Sequence, residues 1–84
     1  MFTGIIEQLA EVVELKKEGS NMHISLKSTI TSELKIDQSM AHNGVCLTVV
    51  GIDGDNYTVT AIKETLEKSN LGLFQVGSKV NLER

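Results

Sequence analysis

The sequence has no tryptophan and no proline, a single cysteine, one tyrosine and two phenylalanines in 84 residues. One cysteine cannot close an internal disulfide, which points to a reducing compartment. So few aromatic residues leave an aliphatic core of Ile, Leu and Val. With no proline, and with seven glycines spread as punctuation, the chain has no linker. Nothing in it is of low complexity or repeated, so residues 1–84 read as one domain. A domain this short buries only about 60% of its unfolded surface, enough to fold alone with a thin margin.

Long apolar runs are also missing. None approaches the roughly 18 residues of a membrane span. Met1-Phe2-Thr3-Gly4 lacks both the basic region and the apolar stretch of a signal peptide. The expected location is cytoplasmic, with no membrane partner. Positive charge is scarce too: the net charge is −3, and the densest basic run, Lys16-Lys17, is followed at once by Glu18. That is poor material for a surface that tracks phosphates, so a nucleic-acid partner is not expected.

What is present is strand pattern and turn chemistry. In "NMHISLKS", Met22, Ile24 and Leu26 alternate with His23, Ser25 and Lys27, the signature of a half-buried strand. "VCLTVVGI" is short and β-branched, with apolar residues of both parities, which predicts cover on both faces. The Asp-Gly-Asp turn at 53–55 joins it to "NYTVTAI", so 45–52 and 56–62 form a hairpin. "KETLEKSN", 63–70, is rich in helix formers and predicts a short helix. "STITSELK", 28–35, predicts a second one, capped by Ser28 or Thr29. "KVNLER" closes as a strand with Val80 and Leu82 on one side. The segment 5–15 is ambiguous: apolar residues at 5, 6, 9, 12, 13 and 15 and good helix formers put helix slightly ahead of strand. Several short strands between Gly and Asp-Gly turns give a small all-β barrel or sandwich as the leading class.

Chemistry centres on "HNGVCLTV", 42–49. Asn43-Gly44 is a turn signal, because both residues tolerate positive φ. It sets the register of a strand on which Cys46, Thr48 and Val50 share one face and Val45, Leu47 and Val49 the other. Packing or pocket lining is the first reading of Cys46, a nucleophile the second and a metal ligand the last. Pairing with His42 requires the chain to fold back at Gly44, and one Cys with two separated His is too few ligands for zinc. A thiol and a hydroxyl together on an otherwise apolar strand suit a mostly apolar pocket with a few polar contacts, although an exposed or satisfied threonine is the commoner case. Lys63-Glu64-Thr65 lies where strand meets helix and can hold a polar ligand edge or simply cap the helix. Gly4-Ile5-Ile6 offers backbone donors and acceptors. No paired-carboxylate, Ser-His-Asp or phosphate-loop pattern occurs. An unrelated small β-barrel interaction module fits the same patterns.

Four stretches, "MFTGIIE", "SMAHNGVCLTV", "KETLEKSNLG" and "GSKVNLER", closely resemble the N-terminal lumazine-binding domain of riboflavin synthase, in order and spacing. The resemblance implies a six-stranded antiparallel Greek-key β-barrel with one or two short helices, and so a strand for 5–15. It implies substrate contacts from Gly4, Ile5 and Ile6, from Cys46, Leu47 and Thr48, and from Thr60, Ala61, Ile62, Lys63, Glu64 and Thr65. Ser39 and His42 join Cys46 as candidate catalytic residues. The family's reaction dismutates two molecules of 6,7-dimethyl-8-ribityllumazine to riboflavin and a ribitylamino-pyrimidinedione, with no metal or added cofactor. Its members carry two such barrels and assemble as trimers. A chain of 84 residues corresponds to the first barrel, expected mainly to bind lumazine or riboflavin and able to pair as a homodimer. Lumazine proteins, which bind the same ligand without catalysis, share the fold and are the alternative.

Overall fold

The computed structural model describes residues 8–68 and 74–83. Six strands, β1 (Gln8–Glu18), β2 (Asn21–Lys27), β3 (Ser39–His42), β4 (Val45–Asp53), β5 (Asn56–Ala61) and β6 (Lys79–Glu83), close into a barrel in the order β1-β2-β5-β4-β3-β6. Every ladder is antiparallel. Closure leaves no edge strand among the described residues, which protects a chain too small to cover one.

Local chemistry accounts for the hairpins. Asn43 and Gly44, with φ of 51° and 86°, give the two positive angles of a type I′ turn and bring β4 back along β3. Gly54, with φ of 62°, opens the two-residue turn between β4 and β5. On β2 the alternation holds: Ile24 and Leu26 are fully buried while Lys27 is exposed. Val80 and Leu82 are buried on β6.

The segment that reads slightly better as helix is strand β1, and a β-bulge explains the misleading spacing. The register with β2 shifts between Val12 and Glu14, so Val13 is an extra residue. Ala10 and Val12 face the core before the bulge, and Leu15 packs against it afterwards. One inserted residue converts a period of two into an apparent step of three. A second shift, between Val49 and Gly51, places an extra residue at Val50.

The helix expected over 28–35 shrinks to a 3-10 turn, Thr31–Glu33, with no side-chain cap. The chain crosses one end of the barrel here and buries Ile30 and Leu34 into it. The Thr31 hydroxyl donates to the Asp55 carbonyl at 2.7 Å, and the Ser28 N–H donates to the same carbonyl at 3.2 Å. These anchors to the β4–β5 turn hold the backbone where a longer helix would lift it away. Helix α1 (Lys63–Lys68) forms as expected, and Leu66 packs against the core. Residues 69 and 70 of the expected helix lie outside the described residues. No helix among the described residues is long and apolar enough to cross a membrane.

Inside the barrel, Met40, Leu47, Val49 and Val59 pack with the β2 and β6 residues. Two polar side chains join them. His42 is fully buried, its Nδ1 3.1 Å from the Met40 carbonyl and its Nε2 3.0 Å from the Tyr57 hydroxyl. A carbonyl only accepts, so Nδ1 carries the hydrogen and Nε2 accepts from Tyr57. Burial pushes the His42 imidazole down to about 4 and raises the Tyr57 phenol.

Candidate functional site

The β3–β4 hairpin turns the sequence's chemistry outward. Leu47 and Val49 point into the barrel, while Cys46, Thr48 and Val50 are exposed on its outer face. The cover predicted for both faces of β4 is therefore present on one only among the described residues: Val50 remains 49% exposed. Ladder register places Ser39 opposite Thr48 and Ala41 opposite Cys46. The hydroxyls of Ser39 and Thr48 lie 3.3 Å apart.

The next strand extends this surface. Val49 and Val59 are opposite each other and both buried, so Thr48 and Thr60, one residue beyond on each strand, both turn outward. Beyond Thr60, Ala61 is buried and Ile62 is 52% exposed. Lys63 and Glu64 are exposed at the start of α1, and Thr65 is half-buried. The structure thus gathers Ser39, Cys46, Thr48 and Thr60 on the outer face of three consecutive strands, with Ile62 and the start of α1 continuing from β5. Gly4, Ile5 and Ile6 lie outside the described residues.

Three predicted residues face elsewhere, and one of them, Ala61, packs in the barrel core at 1% exposure. Leu47 is only 5% exposed, so what it offers to the outer face is backbone. His42 is separated from Cys46 by parity. The chain does fold back at Gly44, but the imidazole enters the core and the thiol faces outward. Its ring nitrogens are both engaged, by Met40 and Tyr57. Of the candidate catalytic set, then, Ser39 and Cys46 share a face and His42 does not.

The resulting surface carries hydroxyls and a thiol between aliphatic side chains, with charge confined to its border at Lys63 and Glu64. Such a face suits a neutral, flat ligand with polar edges. Two hollows lie elsewhere. One, of about 460 Å³, sits by the barrel end between Leu9, Ser28, Asp55 and Lys79, where Lys79 pairs with Glu11 at 2.9 Å. The other, of about 540 Å³, lies between the two bulges, against Val13, Ser25, Gly51 and Thr58. Neither includes Cys46 or Thr48. No group of three or more His, Cys, Asp or Glu converges among the described residues in a way that could hold a metal ion.

Sequence reasoning missed one neighbour of this face. His23, on β2, lies opposite Thr60, and its Nδ1 is 2.8 Å from the threonine hydroxyl. The only sequence signal was its outward parity, which a solvated residue shares.

Comparison with known proteins agrees with the closed barrel. The family model described as the lumazine binding domain matches residues 3–84. Riboflavin synthase of Bacillus subtilis (strain 168) is 41% identical, the alignment covering all of this chain and 40% of that protein. Riboflavin synthase of Escherichia coli (strain K12) is also 41% identical, with the same coverage. Among solved structures, LumP complexed with 6,7-dimethyl-8-(1′-D-ribityl) lumazine superposes with a TM-score of 0.91 at 28% identity, covering 99% of this chain and 47% of that one. LumP complexed with riboflavin gives the same TM-score and identity. The chain spans about two-fifths of the length of the curated relatives it matches.

Proposed function

The chain belongs to the lumazine-binding domain family, and from that premise we propose that it is the lumazine- and riboflavin-binding half of a riboflavin synthase. The observation that carries the reading is the outward convergence of Ser39, Cys46, Thr48 and Thr60 in a chain that riboflavin synthases match over its whole length. The likeness to LumP supports a purely binding module as the alternative, but identity to the synthases is higher, 41% against 28%.

In the proposed arrangement the ligand lies flat against the β3–β4–β5 outer face. Thr48 and Ser39 hydrogen-bond its polar edge, Cys46 and Ile62 contact its plane, and Lys63, Glu64 and Thr65 border it. Gly4, Ile5 and Ile6 complete the site. The backbone of Leu47 and the buried Ala61 fix the strands that carry these groups. His42 acts at a distance, holding β3 from the core side.

The proposed reaction needs two such barrels. Two molecules of 6,7-dimethyl-8-ribityllumazine are held face to face, and one transfers a four-carbon unit to the other. The products are riboflavin and a ribitylamino-pyrimidinedione. Donor and acceptor are the same compound, so no metal or added cofactor is called for. Holding two reactants in register supplies much of the barrier lowering, with effective molarities of about 10⁵ M or more in favourable cases. A single barrel holds one reactant and is expected to bind ligand with little turnover. In the full-length protein the partner is a second barrel within a trimer. Alone, two copies can meet through the exposed face around Cys46 and Val50.

Titration of the chain with riboflavin, followed by flavin fluorescence, tests the binding reading. Saturable quenching is expected, and Thr48→Val should weaken it by about 0.5–1.5 kcal/mol, the worth of one hydrogen bond. Unchanged affinity would remove Thr48 from the site. Cys46→Ser should keep both the fold and most of the binding, because the thiol is exposed and contacts the ligand by shape. Complete loss of binding in that variant would assign the sulfur a nucleophilic role instead.

A further inference from the structure

The structure assigns His23 a positioning role: with Glu18 it fixes the Thr60 hydroxyl as a pure hydrogen-bond acceptor toward the ligand, so that this point of the site selects a ligand N–H or O–H donor. The inference rests on the binding face proposed above, and it concerns a residue outside the stretches that the family resemblance picks out.

The chain of contacts starts at the β1–β2 hairpin. Glu18 Oε1 lies 3.2 Å from His23 Nε2, and His23 Nδ1 lies 2.8 Å from Thr60 Oγ1. An ionised carboxylate can only accept, so Nε2 carries the ring hydrogen. In a neutral imidazole the other nitrogen is then bare. While the ring is neutral, Nδ1 accepts, and the Thr60 hydrogen is drawn to it. What Thr60 presents outward is lone pairs only.

The neighbouring hydroxyl pair behaves differently. Between Ser39 and Thr48 either oxygen can donate, so that pair can offer a ligand either a hydrogen or a lone pair. Thr60 has no such freedom while Glu18 orients the ring. Lys16, the Cα partner of His23 on β1, is exposed. The Glu18–His23 pair is itself partly solvated, its side chains 71% and 28% exposed. Its importance therefore lies in choosing the tautomer rather than in stability.

For the proposed ligands the matching donors are the imide N–H of the ring and the ribityl hydroxyls. An acceptor left without a donor loses the bond and keeps the desolvation cost, which is how such a point discriminates.

Riboflavin titrations of the whole chain and five variants test this. H23A and T60V should each weaken binding about three- to tenfold, the effect of one hydrogen bond. The double variant H23A/T60V should bind no more weakly than T60V alone, because His23 acts through Thr60. H23N should restore affinity to within about twofold of the unmodified chain, because its side-chain amide can offer an oxygen near the place of Nδ1. T48V serves as the control for the site itself. Wild-type affinity in H23A, an additive loss in the double variant, or no recovery in H23N would each overturn the positioning role. If T48V weakens binding and H23A does not, the inference falls while the binding face stands. If riboflavin does not bind the unmodified chain, both fall.

Discussion

Leu47→Ala is expected to destabilise the fold by about 2–5 kcal/mol, the usual range for emptying a buried leucine site. Leu47 is 5% exposed and belongs to the barrel core with Met40, its cross-strand partner, and Val49. A closed barrel has little freedom to collapse around the void, since each strand is held by two neighbours. Stability of about 4–12 kcal/mol is typical for a chain of this length, so the loss is a large fraction of the total. Urea unfolding gives the value directly. Leu47 sits between Cys46 and Thr48, yet its side chain points away from them. The variant should therefore bind ligand with nearly unchanged affinity under conditions where it remains folded. A Leu47→Ala chain as stable as the parent would mean that β4 presents its other face to the core.

Acidification is expected to cost nearly as much. The His42 imidazole is pushed from 6.5 to about 4 by burial, against a smaller opposing effect of its hydrogen bond to Met40. The unfolded chain takes up a proton at this residue below about pH 6.5, while the folded chain refuses it until about pH 4. Between those values the unfolded state binds more protons, so stability falls as pH falls and levels off below about 4. The full shift corresponds to about 3 kcal/mol. Glu11 adds to the loss only at the acid end: the bond to Lys79 holds its carboxyl below 4.5, so its contribution is present above that value and disappears as pH drops through the folded value. Urea midpoints measured between pH 7 and pH 4.5 should decline smoothly. His42→Asn should lower stability at pH 7, since Tyr57 loses its acceptor, and should flatten the decline. A decline that survives this substitution would place its origin outside the core.

Much of the barrel was legible because turn chemistry and alternation are local. Asn43-Gly44 and Gly54 tolerate the positive φ that their hairpin turns require. Met22, Ile24 and Leu26 could only be one face of a strand. The parity argument that set Cys46 and Thr48 against Leu47 and Val49 needed nothing beyond a pleat. Where reading failed, an inserted or distant residue was responsible. Nothing in "EVVEL" marks Val13 as a bulge, and without that knowledge Val12 and Leu15 look helical. The Thr31 hydroxyl is tied to the Asp55 carbonyl, 24 residues away, an anchor that no local pattern reveals. Nothing local showed that His42 turns into the core, because its buried partner, Tyr57, comes from another strand. His23 was invisible for the same reason, since Thr60 lies 37 residues further on. The candidate face was legible in its residues and illegible in its orientation: strand parity cannot say which face of β4 meets the core and which meets solvent.

The location of the ligand on that outer face can be tested through the lone thiol. Cys46 is the chain's one cysteine and is exposed. Its rate of alkylation by a small thiol reagent, followed by mass, should fall severalfold as riboflavin saturates the chain, with a concentration dependence matching the fluorescence titration. A rate that stays the same with riboflavin fully bound would place the flavin elsewhere and contradict the account.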